Sequence, residues 1–361
     1  MRRLACLDGL RGVLATYVLL SHMAPFGALP LWLTRPFSHG EAAVDVFFIL
    51  SGMVIARSLT RFDNQPAPFL LARAARLLPV FFVVFPIAVA IQPLGRGFDR
   101  MPWIGLDSTA RTIWSEDWPT HWAPEIAAHL TMTHGLFPDV VLPNAWVSFL
   151  GAAWSLSTEW QFYALVAVLA YRNHSLRYGM LVLLVVAVAA IAWSSFASPE
   201  WEFSRAFLPN KAQYFALGLA AAELDRKPGP TTGRLYAAVL LAVLALCWAE
   251  GGPTKLAAPL VWTLALASER HGGPLAPVLR SRPLLWLGAI SYPVYLVNEP
   301  AQKAVGTALS ALFPGQPILF TALWVPLAIA VPMLIAWALH VHVEIPGQRW
   351  GRRAVPHGAP A

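Results

Sequence analysis

Ten stretches of mainly apolar residues, joined by short polar segments, run through this 361-residue chain. They cover roughly 7–26, 41–59, 69–92, 146–171, 177–196, 207–225, 234–250, 255–269, 284–308 and 317–342. A helix needs about 20 such residues to cross the hydrocarbon core of a bilayer. Lipid also forces each segment to satisfy its own backbone polar groups, which leaves helices or closed barrels. The pattern therefore predicts an all-α fold, a polytopic membrane helical bundle of about 10 transmembrane helices. Charged residues make up 12% of the chain, against about 25% in ordinary soluble domains. With no room for a soluble unit, residues 1–348 read as one membrane domain and 349–361 as a short, mobile tail.

The formal charge of +7 would point to nucleic acid in a soluble protein, but here its placement gives another account. With the N-terminus inside, 17 arginines and lysines fall on cytoplasmic joints and 8 on the opposite side, with Arg11 set apart inside the membrane. The positive-inside rule then places both termini in the cytoplasm. The expected partner of this charge is the lipid bilayer, with no nucleic acid. Cys6 and Cys247 are too few for a disulfide framework or a cysteine metal site. His340 and His342 have too few neighbouring ligands for zinc, so no metal is expected. Arg2 and Arg3 ahead of an apolar run imitate a signal peptide, but Asp8 and Arg11 interrupt that run and mark a retained first helix.

Ionisable groups inside apolar segments carry the functional information, because each costs about 2.5–3.5 kcal/mol at a helix centre and must face protein or water. The first segment, "LDGLRGVLATYVLLSHMAPF", holds Arg11 and His22 about three turns apart on one face. In the second segment Glu41 and Asp45 share a face at i, i+4 spacing, with Asp45 at a depth similar to His22. A carboxylate beside an imidazole would fix its tautomer and stabilise the imidazolium, as a general base requires. The third segment, "FLLARAARLLP", sets Arg73 and Arg76 one turn apart near the level of Arg11. Three guanidinium groups together suit phosphate. Ser155, Glu159 and Tyr163 form a stripe on the fourth segment, with Glu159 expected in the outer half beside His22 or an acceptor hydroxyl. Ser291, Tyr295 and Glu299 form another on the ninth. The long connection 93–145, rich in Trp and His, is expected to cap an outward-facing site or form an interfacial belt.

These pieces resemble the membrane acyltransferase family 3, whose members include O-acyltransferases of bacterial lipopolysaccharide, peptidoglycan and exopolysaccharide. The likeness rests on "LDGLRG" followed by His22, "VDVFFILSG", Arg73 and Arg76, "WSLSTEWQFY", "ISYPVYLVNEP" and "VEIPGQR", in order from residue 7 to 348. The resemblance implies an enzyme of the bacterial inner membrane that moves an acyl group, commonly acetyl, from cytoplasmic acyl-CoA to a hydroxyl of a glycan or lipid-linked sugar. Acetyl-CoA or another acyl-CoA would be the donor, held by Arg11, Arg73 and Arg76. His22 would be the catalytic base, with Asp45 and Glu159 at family motif positions. One departure is Asn298, where many relatives have histidine; asparagine hydrogen-bonds but does not titrate near neutrality.

Other readings use the same residues. A proton-coupled secondary transporter would employ His22, Asp45 and Glu159 as a relay, but repeats of the usual transporter kind are not evident. A scaffold without activity would keep the polar pairs for packing alone, and an acyltransferase could act on a small molecule. No nucleophile elbow and no phosphate-cradling glycine loop offer a soluble-enzyme chemistry.

Overall fold

The computed structural model describes residues 4–95, 97–114, 118–172 and 175–354. Among them it is helical throughout, without strands. The long helices are α1 (Ala5–Met23), α2 (Gly40–Arg61), α3 (Pro66–Ala90), α4 (Trp154–Tyr171) and α5 (Leu176–Phe196). They are followed by α6 (Ala212–Arg226), α7 (Pro230–Gly251), α8 (Ala257–His271), α9 (Arg282–Leu312) and α10 (Pro317–Leu339). A π turn then leads into α11 (Ile345–Ala354). Each of the ten apolar ranges overlaps one helix of α1 to α10. Among the described residues, five stretches are long and apolar enough by themselves to cross a membrane: Leu31–Arg61, Pro66–Ala90, Leu176–Phe196, Pro230–His271 and Pro317–Ala354. Two expectations are revised at the edges. Residues 146–153 are turns and a short 3-10 segment rather than part of α4, and the tail expected from 349 is helical through Ala354.

Lipid-facing and interior helices separate by their side chains. On α5, Leu181, Val185 and Val188 are more than half exposed, as suits a hydrocarbon surround. By contrast, every residue of α6 from Ala212 to Glu223 is buried, and a helix apolar on all sides belongs in the core. Phe215 of α6 stacks on Phe162 of α4 and lies against Phe48 of α2.

Helix α1 runs through the centre, packed along α9. Gly12 of "LDGLRG" permits this approach, while Gly9 abuts the Leu279 carbonyl just ahead of α9. A Cβ on Gly12 would lie 2.6 Å from the Leu284 carbonyl oxygen, and Gly288 of α9 abuts the Asp8 carbonyl in return. The start of α1 is capped from α8, where Glu269 accepts the Cys6 backbone N–H at 2.8 Å. At the other end, Trp324 of α10 donates to the Met23 carbonyl at 3.1 Å. Below, "lower" denotes the end of the bundle where α1 begins and "upper" the end where it finishes. The upper end is roofed by the connection between α3 and α4, whose Phe98 and Trp114 join Phe26, Phe320 and Trp324 in one aromatic cluster.

Candidate active site: two cavities that meet at Val44 and Tyr295

The lower cavity, about 100 Å³, lies among α1, α2, α3, α4 and α9. Arg11, Arg73 and Arg76 all line it, so the convergence expected from their shared depth is present. Among the described residues no hydrogen bond or ion pair reaches any of the three guanidinium groups. Arg73 is buried with its guanidinium over the face of Phe69, 5.9 Å from the ring centre, and among the described residues Arg76 Nε is buried without a partner. Buried charges are ordinarily paired. Arg73 is buried and Arg11 and Arg76 are half-buried, so without a protein partner their donors stay available to an anionic ligand, and guanidinium geometry favours phosphate or carboxylate. Glu159 is the one carboxylate in this lining and accepts a hydrogen bond from Tyr163 Oη at 2.6 Å. Tyr292 Oη, on the α9 wall, donates to the Leu77 carbonyl of α3 at 2.7 Å and ties the two walls together.

The upper cavity is far larger, about 1830 Å³. His22 stands in its wall with Glu41, Trp146, Arg205, Glu299 and Lys303. Residues of the α3–α4 connection, among them Trp118, His121 and Asn144, complete the lining, so this segment does cover the site. The lining mixes carboxylates, cations, amides and indole rings, a combination suited to a large polar ligand with apolar faces. Val44 and Tyr295 line both cavities. The α9 stripe connects them as well, with Ser291 and Tyr295 below and Tyr295 and Glu299 above.

Two sequence expectations are corrected. Asp45 does not orient His22. It forms an ion pair with Lys211, Nζ to Oδ1 2.8 Å, while Glu41 accepts from Lys211, Lys255 and Arg205 at 2.7, 2.8 and 3.0 Å. Glu41 and Asp45 do share a face, but that face meets the start of α6 instead of α1. Glu159 likewise lies away from His22, in the lower cavity with the arginines. The observed partner of His22 is Asn298, with Nδ1 and Oδ1 2.7 Å apart. Its position in "VNEP" was visible in the sequence; its contact was not. Lys211 went unnoticed because it reads as an ordinary charge at a helix boundary.

In the α3–α4 connection, His129 and His134 are fully buried and stacked, with ring centres 4.0 Å apart. Burial pushes the imidazole of His134 down to about 4 and that of His129 well below its ordinary value, the latter helped by its neighbour. Both are neutral at pH 7. No group of three metal-ligating side chains suited to an ion occurs among the described residues.

The chain matches the family model described as "Acyltransferase domain" over residues 4–341. It is 28% identical over 326 residues to a protein of Komagataeibacter xylinus provisionally named membrane-bound transacylase BcsY, covering 81% of this chain and 72% of that protein. It is 35% identical over 92 residues to "Protein 2 in picA locus" of Rhizobium radiobacter, covering 24% of this chain and 45% of that protein. No solved structure matches it.

Proposed function

The chain belongs to this acyltransferase family and is a multi-pass membrane protein, and from that membership we propose transfer of an acyl group, acetyl in the simplest case, from cytoplasmic acyl-CoA to a hydroxyl of a cell-envelope glycan or lipid-linked sugar. The lower cavity faces the cytoplasm and the upper one the opposite side of the bacterial inner membrane. Ten crossings keep both termini inside, in accord with the distribution of arginine and lysine. What carries the reading is the pair of cavities in contact at Val44 and Tyr295, with three unpaired guanidinium groups in one and His22 in the other.

In this reading Arg11, Arg73 and Arg76 hold the phosphates of the donor, and its thioester reaches past Tyr295 toward His22. The acceptor hydroxyl enters the upper cavity. His22 takes the hydroxyl proton as the oxygen attacks the thioester carbonyl. An ester C–O bond forms, the C–S bond breaks, and the imidazolium returns its proton to the departing sulfur. General base catalysis of this kind is worth about 10²–10⁴-fold. Holding two reactants that arrive from opposite sides supplies a further large factor. Asp45 enters as a support of α2, and Glu159 as a counter-charge that keeps the guanidinium groups in place.

The test is expression of the wild type and His22→Ala in a host lacking related enzymes, with mass spectrometry of envelope polysaccharide and a measure of inserted protein. Acyl groups on glycan, lost in a normally inserted His22→Ala, is the expected result. An active variant overturns the role of His22. An acyl-histidine trapped at His22 overturns direct transfer in favour of a covalent route.

A further inference from the structure

We infer that Asn298 is a positioning residue that fixes the tautomer of His22, holding the proton on Nδ1 and leaving Nε2 as the basic atom. The inference rests on the reading of His22 as the base and adds to it which nitrogen acts and what selects it.

The orientation of the Asn298 amide follows from its surroundings. Its Nδ2 lies 3.1 Å from the Val294 carbonyl oxygen and 2.6 Å from that of Tyr295. Carbonyl oxygens only accept, so the NH₂ end must point at them. The amide oxygen therefore faces His22, and an amide oxygen also only accepts. At 2.7 Å from Nδ1 it requires a proton on that nitrogen. In a neutral imidazole one nitrogen carries the proton and the other the lone pair, so Nε2 is the base. Among the described residues no hydrogen bond reaches Nε2, which is not closed off from the upper cavity that His22 lines.

Both sides of this contact are held in place. Asn298 is fully buried. One turn further along α9, Gln302 Nε2 donates to the Leu19 carbonyl of α1 and to the Ala328 carbonyl of α10, each at 3.1 Å. With Trp324 on the Met23 carbonyl, the backbone of α1 is pinned on either side of His22. A neutral asparagine brings no charge of its own to the imidazolium. It selects the tautomer without the added basicity that a carboxylate would give.

The test reads the tautomer directly. The full-length protein, labelled with ¹⁵N-histidine and held in detergent micelles at pH 8, is examined by long-range ¹H–¹⁵N correlation, with His22 assigned by its loss in His22→Gln. The inference expects a protonated Nδ1 and a bare Nε2 in the wild type. Asn298→Asp, which still accepts from Nδ1–H, keeps the proton on Nδ1, whether or not its charge also draws a proton to Nε2. Asn298→Leu, with no acceptor, moves the signal to the opposite tautomer or to an average. A proton on Nε2 in the wild type overturns the inference, and so does a pattern left unchanged by Asn298→Leu. If the leucine variant does not insert, the wild-type and Asn298→Asp spectra still decide. Turnover of acetyl-CoA is read beside the spectra. At matched folded protein, kcat falls tenfold or more in Asn298→Leu while the KM for acetyl-CoA stays within about twofold, and Asn298→Asp recovers most of the rate. Should His22→Ala retain full activity while the wild type shows the expected tautomer, the base reading fails and the tautomer assignment stands.

Discussion

Lys211 Nζ lies 2.8 Å from Asp45 Oδ1, with 1% and 2% of the two side chains exposed. Removing one partner of such a pair leaves an uncompensated buried charge and costs about 3–5 kcal/mol, whereas replacing both with apolar groups of similar size is often neutral or better. Asp45→Leu and Lys211→Met are each expected to lower folded yield and thermal stability in detergent. The double variant should regain most of both, since Glu41 keeps Lys255 and Arg205. Activity per folded molecule decides the role of Asp45. A double variant within a few-fold of wild type makes Asp45 a structural group; one that folds but is inactive returns it to the chemistry.

The three guanidinium groups of the lower cavity should set the affinity for the donor. Hydrogen bonds to charged groups are worth about 1.5–3 kcal/mol each, and about 1.4 kcal/mol is tenfold in affinity. Arg73→Gln or Arg76→Gln is therefore expected to raise the KM for acyl-CoA by roughly tenfold or more. Arg76→Lys should recover only part of it, because an ammonium lacks the planar fork. Dependence of rate on acetyl-CoA concentration measures this. An unchanged KM in the Arg73→Gln, Arg76→Gln pair would place the donor elsewhere.

The shared level of the three arginines was legible in the sequence, whereas the neighbour that a given helix face meets was not. Arg11, Arg73 and Arg76 share a level that can be counted from the ends of their segments, and they do share a cavity. Asp45 and Glu41 share a face of α2, as their spacing requires, but nothing local states which neighbour that face meets. Its partner Lys211 is 166 residues away, at the junction into α6. Glu159 failed in depth itself: expected in the outer half beside His22, it lies with Ser155 in the lining of the arginine cavity. Gly12 of "LDGLRG" belongs to a motif, and its second role, the close crossing of α1 on α9, depends on residues more than 260 positions away in the chain.

That crossing can be tested by adding single methyl groups. In Gly12→Ala the new Cβ would meet the Leu284 carbonyl oxygen at 2.6 Å and the Gly288 nitrogen at 2.8 Å, both backbone atoms that cannot turn aside. Overpacking of this kind costs about 1–3 kcal/mol, and here it would also shift the helix that carries Arg11 and His22. The expected result is a lower melting temperature and reduced activity per folded molecule. Gly233→Ala on α7 is the control: nothing lies within 4 Å of its new Cβ, and removing a helix glycine should gain about 0.5–1 kcal/mol. Equal melting temperatures for the two variants would show that the crossing is looser than its geometry states.

Acid should weaken the roof of the upper cavity through the stacked pair His129 and His134. The folded protein holds the His134 imidazole down to about 4, chiefly by burial, whereas in the unfolded chain it titrates near 6.5. Above that value neither state is protonated, and the residue makes no difference to stability. As pH falls through about 6.5 the unfolded chain takes up a proton that the folded protein refuses, so stability declines until about pH 4, where both states are charged. At 1.36 kcal/mol per unit the loss from this group reaches about 3 kcal/mol. His129, shifted in the same direction by burial and by its neighbour, adds to the decline. His134→Gln retains a donor for the Ala153 carbonyl, which His134 Nε2 reaches at 3.1 Å, but has no proton to gain. Melting temperatures between pH 7.5 and pH 4.5 in one detergent should fall less steeply for this variant than for the wild type. Parallel curves would mean that the pair is protonated or solvated in the folded protein and that acid acts elsewhere.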